Sequence, residues 1–131
     1  MREVKADIKN VYQVHSIEND FRREVGLPLL TEKDYMLWTR FLFDERREYL
    51  LLFHGKQSVG MIWGHLNDWD EFVVEGRYLK PRFRSWKFKK GLTRSWLSFK
   101  KRFDTIKMRV PVDGKTRHRP LYREVLLQKR G

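Results

Sequence analysis

The chain has 131 residues, 40% of them hydrophobic, which is enough to fill one core and predicts a single domain over residues 1–131. It has no cysteine, which excludes disulfides and thiolate metal sites, and its four histidines are scattered along the sequence, so no metal site is expected. The formal net charge is +12, no apolar run approaches the roughly 18 residues that cross a bilayer, and the first ten residues lack the apolar stretch of a signal peptide, so a soluble, cytoplasmic protein is expected.

The first third of the chain predicts one strand and two helices. Residues 2–5 are predicted as a strand, and Asp7 as the N-cap of a helix whose apolar residues recur near a 3.6-residue spacing as far as Gly26. A second helix is predicted to begin at Thr31, which can form a capping box with Asp34. The predicted apolar face of this helix consists of Tyr35, Trp38, Phe41 and Leu42.

In the middle of the chain the spacing of the apolar residues changes from a helical to a strand-like pattern. Two apolar, aromatic-rich runs joined by GKQS, within residues 47–66, predict a β-hairpin. Residues 71–80 predict a third antiparallel strand, which Pro81 ends because proline has no amide to donate to a ladder. From Phe88 onward, apolar residues three and four positions apart alternate with basic ones and predict an amphipathic helix with a cationic outer face.

The last third predicts a strand at 105–112, a short helix or turn at 116–124 and a final strand at 125–129. The predicted order is therefore β-α-α-β-β-β-α-β-α-β. This order is typical of an α/β (α+β) fold in which a mixed, mostly antiparallel central sheet has helices on both faces. The strand that precedes the amphipathic helix is expected to end in the centre of the sheet.

The excess of positive charge lies in one segment. No Asp or Glu occurs between Gly76 and Phe103, whereas eleven Lys and Arg residues do, which leaves 18 basic and 17 acidic residues elsewhere. Such asymmetry favours an anionic partner for this segment, because the summed field attracts phosphates at a distance. A solubilising surface that has no ligand is the other interpretation.

The element order and several local phrases resemble the GNAT superfamily of N-acyltransferases. MREVKADIKNV resembles the opening strand and helix of that family, and GKQSVGMI, with Val59 and Gly60, resembles its hairpin between the second and third strands. RYLKPRFRSWKFKKGL resembles the fourth strand, its Pro and the loop that leads into the cofactor helix. DGKTRHRPLY resembles the segment after the fifth strand, which in the family commonly carries an Asn and a Tyr. The resemblance covers most of the chain and implies a GNAT-like fold.

The resemblance also implies a cofactor, acetyl-CoA, in a V-shaped opening between the fourth and fifth strands. In the family the diphosphate is held by amides of a loop with the pattern R/Q-x-x-G-x-G/A, because free helical amides favour anions and glycine permits close approach. Arg84 matches the Arg of this pattern, but Lys87 and Lys89 stand at the two glycine positions and Lys115 stands where the Asn is expected. Lysine can hold a phosphate by charge instead. The implied cofactor contacts are Leu79, Arg82, Phe83, Arg84, Lys87, Phe88, Lys89, Lys90 and Lys115.

The implied reaction, acyl transfer to an amine, needs a base for the proton of the attacking amine and an acid for the leaving thiolate. The resemblance implies Glu75, on the fourth strand, as the base and Tyr122 as the acid. Each residue has a second interpretation: Glu75 only offsets the charge of Arg77, or Tyr122 is a half-buried aromatic with its hydroxyl in water. The sequence does not indicate which amine is the acceptor.

Two non-catalytic functions stay open beside the enzyme. The basic segment 77–102 can lie along a nucleic acid or another polyanion, with Phe83 and Trp86 as loop aromatics that can stack on bases. The nucleic-acid contacts are then Arg82, Arg84, Trp86, Lys87, Lys89, Lys90 and Arg94. A narrower resemblance, carried by DGKTRHRPLY, the small size and the basic third helix, is to the acetyltransferase-like internal virion proteins of short-tailed phages, and it implies a virion-associated structural or assembly role.

Overall fold

The computed structural model describes residues 1–41, 44–111 and 122–130. Within these residues six strands form one sheet, in chain order from edge to edge. The strands are β1 (Arg2–Lys5), β2 (Arg47–His54), β3 (Gln57–Leu66), β4 (Phe72–Leu79), β5 (Thr105–Pro111) and β6 (Tyr122–Lys129). The α-helices are α1 (Val11–Val25), α2 (Glu32–Phe41) and α3 (Lys89–Lys100), and short 3₁₀ turns span Ile8–Asn10, Pro81–Phe83 and Trp86–Phe88.

The predicted end of the first helix and the predicted cap of the second are confirmed, whereas Asp7 caps the 3₁₀ turn Ile8–Asn10 that leads into α1, and not α1 itself. The Asp7 carboxylate accepts a hydrogen bond from the Lys9 amide at 2.9 Å, and α1 ends at Gly26, whose φ of 78° is in the left-handed region that favours glycine. At the start of α2 the Thr31 amide donates to Asp34 Oδ2 at 2.8 Å, and the Asp34 amide donates back to Thr31 Oγ1 at 3.4 Å. On the predicted apolar face of α2, the side chains of Trp38, Phe41 and Leu42 lie outside the described residues.

The sheet is mixed, as predicted. The four pairs β1–β2, β2–β3, β3–β4 and β5–β6 are antiparallel, and β4–β5 is parallel. A parallel neighbour requires a crossover, and α3 supplies it. Strand β4 therefore lies inside the sheet, where the strand before the amphipathic helix was expected.

Helices pack on both faces of the sheet, which confirms the predicted layers. On one face Val14 and Ile17 of α1 join a buried cluster with Tyr49, Leu51 and Trp63 of the sheet. On the opposite face Phe99 of α3 joins a cluster that consists of Leu50, Ile62, Phe72, Val74 and Ile106. A third cluster packs the loop after β4 against the sheet through Leu52, Val59, Leu79 and Phe83, and the half-buried Leu92 of the first turn of α3 packs against it.

A bulge interrupts β4 opposite Trp63. Trp63 pairs with Gly76 and the next residue, Gly64, pairs with Val74, so Glu75 is the extra residue. The Trp63 indole lies directly over Gly76, where an added Cβ would come within 2.0 Å of the ring. Glycine is required at this position because the indole occupies the space that a side chain would need.

The structure corrects the prediction for residues 122–124. These residues were predicted as a short helix or turn, but Tyr122 is the first residue of β6 and pairs with Pro111. The hydrogen-bond ladder to β5 stabilises the extended conformation over the weak local preference of the segment. The rest of the predicted short helix lies outside the described residues.

In the described part of the chain, no helix is long and apolar enough to cross a membrane. Nor do three or more His, Asp or Glu side chains converge among the residues placed by the structure in a way that could hold a metal ion.

Candidate active site

Strands β4 and β5 separate halfway along their length. They are paired only from Phe72 to Val74 on β4 and from Ile106 to Met108 on β5. Beyond these residues β4 continues to Leu79 and β5 continues to Pro111 without a shared ladder. The result is a V-shaped opening in the middle of the sheet, at the place that the resemblance implies.

A small pocket, here called the carboxylate pocket, lies on the α1 side of this opening. It has a volume of about 190 Å³ and contains two acidic and three arginine side chains together with aromatic rings. Its lining residues are Glu18, Phe21, Arg22, Leu27, Arg47, Trp63, Glu75, Arg109 and Tyr122. The two residues to which catalytic roles were assigned from the sequence, Glu75 and Tyr122, thus lie in one pocket.

Glu75 is surrounded by two arginines and a histidine. Its Oε1 lies 2.7 Å from His65 Nδ1 and 3.1 Å from Arg109 Nη2, and its Oε2 lies 3.6 Å from Arg47 Nη1. Burial raises the pKa of Glu75, but the hydrogen bond with His65 and the charges of Arg109 and Arg47 together outweigh it, so the pKa lies below its ordinary value. Glu75 is therefore an anion at neutral pH. Its position at the bulge places it where β4 and β5 separate.

Glu18, on α1, is the second acid of the pocket, and the sequence analysis did not identify it. It is 3% exposed, and its Oε1 accepts a 3.4 Å hydrogen bond from Arg22, one turn further along the helix. Its Oε2 is buried and has no hydrogen-bond partner among the described residues. Burial raises the pKa of Glu18 to about 7, although the charge of Arg22 partly opposes it.

A signal for Glu18 is present in the sequence. The residue lies four positions after Val14 and next to Ile17, on the stripe of α1 that faces the sheet. An acid on the apolar stripe of an amphipathic helix is uncommon, because burying a charge is costly. Such a residue therefore indicates a functional site or a buried ion pair.

Tyr122 lies at the edge of the carboxylate pocket. As the first residue of β6 it follows the long connection from β5, and it is 38% exposed. The Arg109 guanidinium lies 5.0 Å from the centroid of its ring. Arg109 thus contacts both Glu75 and Tyr122 and links the two sides of the pocket.

A second cavity, here called the β4–α3 cavity, lies on the opposite face of the sheet. It has a volume of about 410 Å³ and is lined mostly by apolar side chains of the central strands and α3. Its lining residues are Leu52, Ile62, Arg77, Tyr78, Leu79, Arg84, Leu92, Thr93 and Trp96. The Arg77 guanidinium lies 4.7 Å from the Trp96 ring. The opening between β4 and β5 therefore has an apolar cavity on one face and a charged pocket on the other.

Arg84, which matches the Arg of the family pattern, is held by three hydrogen bonds. Its Nη1 and Nη2 each lie 2.6 Å from a carboxylate oxygen of Glu24 on α1. Its Nε donates to the Leu79 carbonyl at 2.7 Å. The hydrogen bond from Arg84 lowers the pKa of Glu24. Arg84 therefore ties the loop after β4 to α1, and it also lines the β4–α3 cavity.

The backbone of this loop does not form a glycine cradle. The Phe88 amide donates to the Ser85 carbonyl at 3.0 Å and the Lys89 amide donates to the Trp86 carbonyl. Gly91, the one glycine nearby, lies against Met1, whose backbone nitrogen would be 3.2 Å from an added Cβ. The exposed side chains of Lys87, Lys89 and Lys90 surround the start of α3 instead. These lysine side chains can hold a diphosphate by charge.

The remaining predicted contacts are spread over different environments. Phe83 is only 2% exposed and belongs to the buried cluster beneath the loop, so the prediction that it can stack on a base is wrong. Phe88 is half-buried, with its ring 5.0 Å from that of Phe83. Arg82 is exposed, and its guanidinium lies 4.9 Å from the Phe83 ring. Lys115 lies outside the described residues.

Solved structures with a similar fold include several acetyltransferases. A possible acetyltransferase from Clostridium difficile 630 matches 86% of this chain and 81% of its own, with a TM-score of 0.70 at 14% identity. An acetyltransferase from Thermus thermophilus matches 97% of this chain and 98% of its own, with a TM-score of 0.67 at 12% identity. AAC(6′)-Iy, solved with the bisubstrate analogue CoA-S-monomethyl-acetylneamine, matches 86% of this chain and 81% of its own, with a TM-score of 0.64 at 9% identity.

No family model matches the sequence, and no curated protein does so either. The likeness is therefore one of fold. It confirms the GNAT-like α+β fold and the mostly antiparallel six-stranded sheet. The narrower resemblance to phage internal virion proteins stays a prediction.

Proposed function

We propose that the protein is an N-acyltransferase that transfers an acyl group from acyl-CoA to an amine. The observation that carries this proposal is the opening between β4 and β5, with an apolar cavity beside it on one face of the sheet and a charged, two-carboxylate pocket on the other. A reaction between a bound thioester and an amine requires two such compartments that meet at one point. The fold supports the proposal, since one structural neighbour was solved with a CoA-linked bisubstrate analogue.

The β4–α3 cavity and the adjacent edge of β4 would hold the pantetheine arm. Residues of β4 beyond Val74 have no ladder to β5, and main-chain groups at a free strand edge can pair with the amides of an extended ligand. Lys87, Lys89 and Lys90 would hold the diphosphate by charge, since phosphate binding by lysine does not require a glycine loop. When bound, acyl-CoA supplies an acyl group that is activated as a thioester.

We assign proton acceptance to Glu18. A general base is most effective when its pKa is near the working pH, and the pKa of Glu18 is about 7. Glu75, the base implied by the family resemblance, has a lowered pKa and is the weaker acceptor. Within this proposal Glu75 orients the amine and holds Arg109 in place, while Glu18 takes the proton that the amine loses as its nitrogen bonds to the acyl carbon. Tyr122 gives its hydroxyl proton to the sulfur as the carbon–sulfur bond breaks.

The proposal is tested by cofactor binding and by thiol release. Acetyl-CoA at rising concentration is expected to raise the melting temperature, because a ligand that binds only the native state stabilises it. With a panel of amines (an aminoglycoside, a polyamine, a lysine peptide and a free α-amine), free CoA is expected to appear in a thiol assay. The protein has no cysteine of its own, so the assay has no background from the protein.

Variants separate binding from chemistry. Glu18→Gln and Tyr122→Phe are expected to keep the rise in melting temperature and to lose thiol release. If Glu75→Gln loses the activity and Glu18→Gln keeps it, Glu75 is the base, as the resemblance implies. A melting curve that does not move at saturating acetyl-CoA would overturn the proposal as a whole.

A further inference from the structure

The solvent side of α3 carries a long surface groove, of which the proposed reaction uses only Lys89 and Lys90, at the end beside the diphosphate. The groove, here called the outer groove, has a volume of about 630 Å³. Its lining residues are Trp86, Lys89, Lys90, Thr93, Arg94, Leu97, Ser98 and Lys101. The opposite side of the helix packs on the sheet, where Ser95 and Phe99 are buried. The helix therefore separates the outer groove from the opening between β4 and β5.

The charge of the outer groove is uncompensated. Lys89, Lys90, Arg94 and Lys101 have no ion pair with any acid that the structure describes, whereas Arg84 and Arg102, which flank the groove, pair with Glu24 and Glu48. Lys90 and Arg94 are four residues apart on one helix, an arrangement in which like charges repel. A cationic stripe that destabilises its own helix and has no internal partner indicates an external anion.

The dimensions of the stripe fit a polymer better than a single small anion. Lys90 and Lys101 are separated by eleven residues of sequence, which span about 16 Å of helix axis. A nucleic acid strand carries one phosphate per roughly 3.4 Å of duplex axis. The stripe is therefore long enough to contact several phosphates of one strand in succession.

Exposed apolar side chains in the groove favour a single-stranded nucleic acid over a duplex or an acidic peptide as the ligand. The Trp86 side chain is 84% exposed and Leu97 is 50% exposed, although both lie among cationic residues. An exposed indole beside a cationic track is the arrangement on which bases of a single strand stack, because every base presents an apolar face. A duplex hides those faces, and an acidic peptide has no need of the indole.

We propose that the outer groove binds single-stranded nucleic acid, with Lys89, Lys90, Arg94 and Lys101 at the phosphates and Trp86 stacked on a base. The sequence predicts that Arg84 and Phe83 belong to such a surface. The structure removes both, since Arg84 is paired with Glu24 and Phe83 is buried, and it adds Leu97 and Lys101. Binding at this groove does not depend on the acyl-transfer proposal.

The test is fluorescence anisotropy with labelled dT20 and U20 at several salt concentrations, with the duplex dA20·dT20 as a second probe. Affinity for the single strands is expected to fall with salt at a log–log slope of about −2 to −3, since each neutralised phosphate of a single strand contributes about −0.7. Comparison of dT20 with U20 shows whether DNA or RNA is preferred. A flat salt dependence, or a duplex bound as tightly as the single strands, would overturn the proposal.

Variants locate the site. Arg94→Glu and Trp86→Ala are each expected to weaken binding at least tenfold, and both residues are exposed, so the fold is expected to persist. Lys33→Glu, at an exposed position of α2, makes the same change in net charge as Arg94→Glu away from the groove and is expected to change the affinity less than twofold. Equal losses from Lys33→Glu and Arg94→Glu would show a nonspecific charge effect and reject the groove.

Two competitors test the occupant. Saturating acetyl-CoA is expected to weaken oligonucleotide binding only in part, because its diphosphate would share Lys89 and Lys90, whereas Trp86, Arg94 and Lys101 stay available. Complete displacement by acetyl-CoA would assign the whole groove to the cofactor and overturn the proposal. Poly-glutamate is the second competitor. If it binds at least as tightly as dT20 at the same concentration of negative charge and displaces the oligonucleotide, the groove is assigned to an acidic protein partner.

Discussion

Arg109 Nη2 of β5 lies 3.1 Å from Glu75 Oε1 of β4, at the residues where the two strands stop pairing. The main-chain ladder ends at Val74 and Met108, and a side-chain ion pair takes over as the link between the strands. The side chain of Glu75 is only 10% exposed, so this pair is weakly screened by water. The Glu75 carboxylate thus links the two strands at the point where they separate, and it also lines the carboxylate pocket.

Replacement of Glu75 by Gln is expected to lower the free energy of unfolding by about 2 kcal/mol at pH 7, because the charge-assisted hydrogen bond with Arg109 and the ion pair with Arg47 are lost. The pKa of Glu75 in the folded protein lies below its value of 4.5 in the unfolded chain. The stabilisation is therefore complete well above pH 4.5 and is lost as pH falls through the lower, folded pKa. Urea unfolding at pH 7 and pH 3 measures both effects, and a wild-type advantage that persists at pH 3 contradicts this account.

Replacement of Glu18 by Gln is expected to have the opposite pH dependence. The pKa of Glu18 rises from 4.5 in the unfolded chain to about 7 in the folded protein. Wild-type stability is therefore unaffected below pH 4.5, falls by about 3 kcal/mol in total as pH rises from 4.5 to about 7, at about 1.4 kcal/mol per pH unit, and stays at the lower level above that. Relative to wild type, Glu18→Gln gains stability over this range. A difference between the two proteins that is constant from pH 4.5 to 8 shows that Glu18 titrates normally.

Replacement of Gly76 by Ala is expected to destabilise the protein by about 1–3 kcal/mol or more, because its Cβ would lie 2.0 Å from the Trp63 ring and the buried indole has no room to move. Gly55 is the control. It has a φ of 61° and open space around it, so Gly55→Asn, which tolerates this conformation, is expected to cost less than about 1 kcal/mol. Thermal unfolding of the two variants compares them directly, and equal losses would show that the Trp63 contact is not the cause.

Replacement of both Lys87 and Lys89 by Ala is expected to weaken CoA binding about tenfold or more, because charge-assisted hydrogen bonds to the diphosphate are lost. Pantetheine, which lacks the diphosphate, is expected to bind the variant as it binds the wild type. Lys33→Glu, which makes the same change of two units in net charge at an exposed position of α2, is the control. Calorimetry with the two ligands separates the contributions, and an equal loss for CoA and pantetheine would mean that the lysines do not contact the diphosphate.

Much of the fold was predictable because its signals are local. Helix ends are set by residues within one turn of them, here Asp7, Thr31 and Gly26. Pro81 ends β4 whatever the position of that strand in the sheet. The sheet was predictable because most of its strands carry an apolar pattern that can be recognised without knowledge of the partner strand. Residues 122–124 were mispredicted because β-structure depends on a partner strand, here β5, that a local pattern does not reveal.

The site was only partly predictable for the same reason. The basic segment from Arg77 to Arg102 and the two lysines in place of glycines are visible in the sequence. The sequence does not show how this segment is divided. Arg84 pairs with Glu24, Phe83 is buried and the outer groove is uncompensated because of how the loop packs on α1 and the sheet. Glu18 was missed because its role comes from desolvation, which depends on what covers a residue.

The sequence by itself therefore determined the order of the elements, their caps and the sign and place of the charge, since each of these depends on residues a few positions apart. Only the tertiary structure decided which charges are paired, where β4 and β5 separate, and that Glu18 and Glu75 share one pocket with opposite pKa shifts. Those properties depend on distances between residues far apart in the chain, and on how much water the fold removes from around them.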